Sequence, residues 1–141
     1  MSRAPKDDLK ALVATAMRAR DEALAPFSNF KVGAALETED GAIYTGCNIE
    51  SASYGSTVCA ERVAIWKALS EGERRFKRIA IIADTERLTT PCGTCRQIIW
   101  EFCGDTAVVL ANLRGDVEEM RASELLPRAF DQSFLKQTGI S

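Results

Sequence analysis

The 141-residue sequence lacks histidine, long apolar runs and any marked excess of one charge. No apolar run approaches the about 20 residues that a helix needs to cross a bilayer, and the N-terminal segment lacks the apolar core of a signal peptide. Basic residues number 18 against 20 acidic ones, for a net charge of -2, so no basic surface suited to DNA or RNA is expected. We therefore expect a cytoplasmic protein that binds a small molecule, with no membrane or nucleic acid polymer as partner.

The sequence also has no excess of glycine or proline, and its cysteines do not suggest a disulfide framework. Apolar residues make up 46% of the chain, which is typical of a globular protein, and the length suits one domain over residues 1–141. The cysteines number five, an odd count, in a chain without a secretory signal. Reduced thiols or metal thiolates are the better interpretation.

Apolar periodicity, turn residues and prolines predict a chain order of helix, strand, strand, helix, strand, helix, strand, strand, helix. This order indicates one α/β domain in which helices cover a mixed sheet. The expected segments are a helix over 6–25 stopped by Pro26, strands over 31–36 and 42–48, a helix from Cys59 to a stop at Gly72, a strand over 79–83, a helix from Pro91 through Phe102, strands over 107–110 and 117–120, and a short helix beginning at Ser123.

Three cysteines fall at equivalent places in this order. Cys59 opens the helix before the buried strand 79–83, and Cys92 and Cys95 open the helix after it. Equivalent helix ends of neighbouring units lie side by side, and a helix N-terminus favours the thiolate form that binds metal. Because zinc accepts thiolate ligands in tetrahedral geometry, we expect one zinc ion with these three ligands.

Three protein ligands leave a fourth position for water, which is typical of catalytic zinc. Glu61 follows Cys59 by two residues and can border the same pocket, where it would accept the proton of that water. Three thiolates around Zn²⁺ give a net charge near -1, and Arg62 can offset it by donating hydrogen bonds to ligand sulfurs.

Other interpretations of the cysteines stay open at this stage. A redox CxxC pair is one, although such pairs usually follow an early strand. A closed structural site with Cys47 or Cys103 as fourth ligand is another, but Cys103 lies about 15 Å along the helix from Cys92. We expect both of these cysteines to be small buried hydrophobes, and Trp66 and Trp100 to pack in the core.

These residues resemble the small, homotetrameric zinc-dependent cytidine deaminases. Zinc deaminases carry H-x-E followed by P-C-x-x-C, with an all-cysteine variant. Here the signature stands as Cys59-Ala60-Glu61 and Pro91-Cys92-Gly93-Thr94-Cys95, and the lack of histidine selects the variant. The likeness runs from about Ala25 to Phe130 and includes "APFSNFKVGAAL", "GCNIESASYGSTVCAER", "PCGTCRQIIWEF" and "LLPRAF".

The resemblance implies a three-layer α/β/α domain with a five-stranded mixed sheet. It also implies hydrolytic deamination of cytidine and 2'-deoxycytidine in pyrimidine salvage, with activated water attacking C4 and Glu61 transferring protons. By this resemblance, Asn48 and Glu50 contact the ribose hydroxyls, and Phe30 lines the nucleoside pocket. The Ala60 backbone contacts the base, and Phe130 lies against the pyrimidine. Ala52 and Tyr54 reach a neighbouring subunit's site, which implies a homotetramer with shared active sites.

Three alternatives to this function remain, of which polynucleotide editing is disfavoured by the charge balance. The same chemistry could serve another substrate, such as a blasticidin-type antibiotic or an N4-modified cytidine, although Asn48 and Glu50 favour a nucleoside. A noncatalytic zinc module would instead have a closed site, and substitution of Glu61 would have no consequence.

Overall fold

The computed structural model of the chain describes residues 6–137, with side chains over 8–135. All of the predicted helices and strands are present, together with a 3-10 turn and one further short helix. The elements are α1 Lys6–Arg20, β1 Val32–Thr38, β2 Ile43–Cys47, the 3-10 turn Tyr54–Ser56, α2 Ala60–Ser70, β3 Phe76–Ala83, α3 Gly93–Cys103, β4 Ala107–Asn112, β5 Val117–Arg121, α4 Ala122–Leu125 and α5 Gln132–Gln137.

The strands form one mixed sheet in the order β2-β1-β3-β4-β5. Strands β3 and β4 are parallel, and the other neighbouring pairs are antiparallel. Helix α3 connects the two parallel strands, so it begins at the carboxyl end of β3. Helix α2 leads into β3 and therefore also begins near that end. This topology brings the N-termini of the two helices together.

Helices cover both faces of the sheet, which makes the domain a three-layer α/β/α structure and confirms the predicted fold class. Ile79 and Ile81 of β3 lie in a buried cluster with residues of α2, α3 and α4. The alternate residues Ala80 and Ile82 lie in a second buried cluster with α1. Successive side chains of a strand point to opposite faces, so the wholly apolar β3 is buried on both sides, as predicted.

Two helices approach the sheet closely at glycines. A Cβ on Gly46 of β2 would lie 2.2 Å from the carbonyl oxygen of Ala60, and one on Gly33 of β1 would lie 2.1 Å from that of Ala16. These distances are far below van der Waals contact, so glycine is required for α2 and α1 to pack at their present depth. The first turn of α2 is the one that rests on Gly46.

The prediction for the end of α1 is wrong: the helix ends at Arg20, before Pro26. After the helix, Leu24 N donates to Asn48 O, and Glu50 N donates to Leu24 O. These bonds draw the chain into a bridge with Ile49 that a helical conformation could not form. A contact between distant segments therefore overrides the local helical pattern.

The second helix ends as predicted, while the third begins later than expected. Gly72 has φ of 96°, Gly72 N donates to Leu69 O, and Glu73 N donates to Ala68 O, which is the Schellman arrangement. Helix α3 begins at Gly93 with Cys92 as its N-cap. Pro91 thus precedes the helix, and its predicted place in the first turn is wrong.

The expectation for the tryptophans is only partly correct. Trp100 packs against the larger buried cluster and donates from Nε1 to Asp131 Oδ2 at 3.0 Å. Trp66 is 41% exposed and contacts Phe102 edge-on, with ring centroids 5.6 Å apart, so its prediction as a core residue is wrong. In the described residues 6–137, no helix is both long and apolar enough to cross a membrane.

Candidate functional site

Three cysteine sulfurs meet where the two helices begin. Cys59 is the N-cap of α2, Cys92 is the N-cap of α3, and Cys95 lies in the first turn of α3. Their Sγ atoms all lie within 4.8 Å of one another. A tetrahedral zinc ion with Zn-S bonds of about 2.3 Å places its sulfurs about 3.8 Å apart, so the cluster is close to ligand spacing.

Two of these sulfurs share a hydrogen bond that shifts their pKa values in opposite directions. Hydrogen bonds from the Cys95 thiol and the Arg62 guanidinium lower the pKa of the Cys59 thiol to about 5. The hydrogen bond to Cys59, together with burial, raises the pKa of Cys95. A dication between the sulfurs would hold all three as thiolates.

The remaining two cysteines are not part of the sulfur cluster. Both Cys47 and Cys103 are free and partly buried, and burial raises the pKa of each thiol, that of Cys103 to about 12. Neither thiol therefore belongs to a closed four-cysteine site in the described part of the chain.

Arg62 lies against the sulfur cluster. Its Nη2 donates to Cys59 Sγ at 3.5 Å, and its Nε is buried without a hydrogen-bond partner among the described residues. The contact with Cys59 raises the pKa of the guanidinium further. A permanent positive charge therefore faces the sulfurs from the protein side.

Glu61 lies in the first turn of α2 beside these sulfurs and is only 4% exposed. Burial raises the pKa of this carboxyl to about 6, its own backbone N-H acts in the opposite direction, and the nearby Cys59 adds to the increase. A carboxyl with a pKa this close to neutrality can both accept and release a proton at physiological pH.

A cavity of about 260 Å³ opens in front of the sulfurs. It contains seven of the residues predicted for the site: two ligand cysteines, Glu61, and four of the proposed substrate contacts. Its lining consists of Phe30, Val32, Asn48, Glu50, Thr57, Val58, Cys59, Ala60, Glu61, Ile81, Thr89, Thr90 and Cys92.

Asn48 and Glu50 form the polar wall of this cavity and are held by the backbone of the 27–32 segment. Asn48 accepts from Val32 N at 2.8 Å and donates to Phe30 O at 2.7 Å. Glu50 accepts from the backbone N-H groups of Phe27 and Ser28 and from the Ser28 hydroxyl. The Ser28 hydroxyl lowers the pKa of Glu50, which keeps the carboxylate ionised. Both side chains retain unused hydrogen-bonding capacity for a ligand.

Three predicted site residues lie away from this cavity. Ala52 and Tyr54 are exposed, and the Tyr54 ring contacts Phe27 edge-on with centroids 6.2 Å apart. Phe130 is 58% exposed and stacks on Phe134 at a centroid distance of 5.4 Å. Within one chain, these side chains do not reach the sulfur cluster.

The sequence interpretation missed the hydroxyl residues of the cavity, namely Thr57, Thr89 and Thr90. Thr89 and Thr90 directly precede Pro91 and Cys92, and Thr57 precedes Cys59 by two residues. Their proximity to the ligands was the available signal.

The comparisons with known proteins agree with this geometry. Residues 6–111 match the family described as "Cytidine and deoxycytidylate deaminase zinc-binding region". The chain belongs to the cytidine deaminase family. It is 53% identical over 129 residues to the cytidine deaminase of Sporosarcina psychrophila, an alignment that covers 91% of this chain and 95% of that protein.

Two further members of the cytidine deaminase family extend this result. The cytidine deaminase of Halalkalibacterium halodurans is 53% identical over 124 residues, covering 87% of this chain and 94% of that one. The crystal structure of cytidine deaminase from Burkholderia pseudomallei is 49% identical, with a TM-score of 0.84, and covers 86% of this chain and 98% of that one.

Family membership also identifies the cation. The matched region is a zinc-binding one and contains all three clustered sulfurs. The prediction of zinc as the cofactor of this cytidine deaminase family member is confirmed, and the donor set of three thiols and a backing arginine suits that ion.

Proposed function

We propose that the chain catalyses hydrolytic deamination of cytidine and 2'-deoxycytidine to uridine and 2'-deoxyuridine, with release of ammonia. The observation that carries the proposal is the nearly buried Glu61 carboxyl, which lines one cavity together with the sulfurs of Cys59 and Cys92. Relatives that are named cytidine deaminase and are 53% identical to the chain support the choice of substrate.

The metal would be held by Cys59, Cys92 and Cys95, with the fourth position open to the cavity. When bound, zinc supplies the Lewis acidity that makes a water molecule reactive near neutral pH. Arg62 compensates the negative charge of the thiolates, because its guanidinium donates to Cys59 Sγ at 3.5 Å. Less negative charge on the sulfurs makes the site more effective at activating water.

Glu61 would carry the protons of the reaction. It accepts one proton from the attacking water and passes it to the ring nitrogen next to C4. It then takes the proton of the hydroxyl now on C4 and gives it to the departing amine, so that ammonia leaves and C4 becomes a carbonyl. The sum of these steps converts cytidine and water to uridine and ammonia. Ala60 is the first residue of α2, so its backbone N-H has no partner within the helix and can contact the base.

The nucleoside sugar would lie along the polar wall of the cavity. Asn48 can offer its second amide hydrogen and Glu50 its remaining lone pairs to the ribose hydroxyls. Phe30 lines the same cavity and offers an apolar surface to the nucleoside. Because Asn48 and Glu50 together suit a ribose, this wall favours a nucleoside over an antibiotic without that sugar.

We also propose a homotetramer in which neighbouring chains complete each site. Three residues that the resemblance assigns to substrate binding are exposed and do not line the cavity of their own chain: Ala52, Tyr54 and Phe130. This is the placement expected of residues that contact a neighbouring chain. Phe130 would then stack on the pyrimidine in a neighbour's cavity. Action as a single domain over residues 1–141, a cytoplasmic location and a role in pyrimidine salvage remain predictions that accompany this proposal.

The test is the substitution Glu61→Gln, with Glu71→Gln as a control at the other, exposed end of α2. Loss of positioned proton transfer should lower kcat about 100- to 10,000-fold, which is about 3 to 5 kcal/mol of barrier. Zinc per chain and loss of cytidine absorbance are measured for both variants, with deoxycytidine and a blasticidin-type antibiotic as further substrates.

The control should behave as the wild type. The proposal would be wrong if Glu61→Gln kept its zinc and its full rate. It would equally be wrong if the zinc-loaded wild type deaminated the antibiotic and neither nucleoside. A zinc-loaded wild type without activity toward any of the three substrates would favour a noncatalytic zinc module.

A further inference from the structure

Arg96, the residue after Cys95, holds three separate segments around the metal site. Its Nε donates to Pro91 O at 2.8 Å, its Nη2 to Thr90 Oγ1 at 3.0 Å, and its Nη1 to Leu125 O at 3.0 Å. Each acceptor takes a different nitrogen of the guanidinium, a spread that the single nitrogen of a lysine does not reproduce. All three nitrogens of the side chain are therefore engaged.

The first two bonds fix the approach to Cys92. Cys95 is buried within α3, whereas Cys92 is exposed and precedes the helix with an extended backbone, φ -66° and ψ 166°. Pro91 has no N-H group, so its carbonyl is its only backbone polar group available for hydrogen bonding. The Arg96 backbone N-H also donates to Cys92 O at 2.9 Å. Arg96 thus restrains the ligand that the helix itself restrains least.

The third bond connects the metal site to the C-terminal segment. Leu125 O lies at the end of α4, and the next residue of α3, Gln97, donates from Nε2 to Phe130 O at 2.8 Å. Helix α3 therefore holds both ends of the segment from Leu125 to Phe130. Thr90, the other side-chain partner of Arg96, lines the cavity. One side chain thus connects the residue before a metal ligand, a cavity wall and the segment that carries Phe130.

We propose that Arg96 is a positioning residue of the metal site, which sets zinc affinity and coordination geometry by holding the Thr90 hydroxyl and the Pro91 carbonyl before Cys92. Arg96 does not itself line the cavity and acts on the site through Thr90 and Pro91. The inference rests on the proposed function for the metal ligands only and does not depend on the nucleoside. Metal binding is therefore its readout, so that it and the proposed deamination can fail separately.

The experiment uses the full chain, stripped of metal by a chelator and reloaded with Zn²⁺ or Co²⁺. The variants are Arg96→Gln and Arg96→Lys. The control is Arg74→Gln, because Arg74 is exposed and donates to two backbone carbonyls, of Leu69 and Glu73, away from the sulfurs. Chelator competition gives the zinc affinity, and the visible absorption of the cobalt form reports the geometry of the thiolate ligands.

In Arg96→Gln, loss of the three guanidinium hydrogen bonds should weaken zinc binding about 10- to 100-fold and shift the cobalt bands, as for other residues that orient metal ligands. Arg96→Lys keeps the positive charge, so it replaces the glutamine variant in the test if that variant does not fold. Its zinc affinity should lie between those of Arg96→Gln and the wild type. The control should match the wild type. Wild-type affinity and cobalt bands in Arg96→Gln, or complete recovery by lysine, would overturn the proposal, whatever the thermal stability of the variants.

Discussion

The close contact between α2 and Gly46 makes the position of the active site sensitive to one methyl group. In Gly46→Ala, the new Cβ would begin 2.2 Å from Ala60 O and 2.7 Å from Ala64 N. Nonbonded heavy atoms need about 3.5 Å, so the first turn of α2 must withdraw by about 1 Å. Cys59 and Glu61 move with that turn, because they are the N-cap and the second residue of the helix.

The size of the effect follows from these distances. Overpacking costs about 1 to 3 kcal/mol, and the reduced entropy of the unfolded chain returns about 0.4 to 1 kcal/mol, so the net loss of stability should be about 1 to 2 kcal/mol. A displacement of about 1 Å in a catalytic group can lower the rate about 100-fold. We expect weaker zinc binding and a lower kcat from Gly46→Ala at temperatures where the variant is fully folded.

Gly33→Ala is the matched control, because its Cβ would lie 2.1 Å from Ala16 O and 2.7 Å from Arg20 N in α1. The clash is similar, but α1 carries none of the three sulfurs. Both variants should lose similar stability in denaturant unfolding, while only Gly46→Ala should lose zinc affinity in a chelator titration. Equal loss of zinc affinity in the two variants, or none in either, would refute the reasoning.

Two further experiments test charged side chains, one at the metal site and one in the sheet. Replacing Arg62 by alanine should weaken zinc binding or catalysis, since the sulfurs lose their compensating charge; wild-type zinc affinity together with wild-type kcat would contradict this account. On the α1 side of the sheet, Arg78 is 2% exposed and pairs with the 18% exposed Glu37 at 2.8 Å. Glu37→Leu should cost about 3 kcal/mol by leaving the arginine charge buried, and adding Arg78→Met should recover most of that loss in urea unfolding; equal stability of the single and double variants would disagree with it.

The metal half of the site was predictable because its determinants are local. Cys59 and Cys92 immediately precede helical segments, and the alternation of helix and strand places those helix ends side by side. Only residue type, spacing and the order of elements enter this inference. The same determinants placed Glu61 and Arg62 beside the sulfurs, because both lie in the first turn of one of those helices.

Contacts between distant segments account for what the sequence could not reveal. Asn112, 1% exposed, donates to Glu86 O and to Asp116 Oδ2 and accepts from the N-H groups of Arg114 and Asp116. It thereby joins the β4-β5 turn to the loop that leads to Thr89. Hydrophobic periodicity does not predict the bond from Asn112 to Glu86, because the two residues are 26 positions apart in sequence.

The proposed substrate contacts were still harder to predict from the sequence pattern. Tyr54 is 78% exposed and Phe130 58% exposed in their own chain, and exposed apolar residues are common on protein surfaces, so exposure alone assigns them no role. In the proposed homotetramer, their partner would be the cavity of another copy. Burial and hydrophobic pattern describe the energetics of a single chain, so they carry no signal for residues whose contacts form only on assembly. Family resemblance could suggest their role, whereas the physical chemistry of one chain could not.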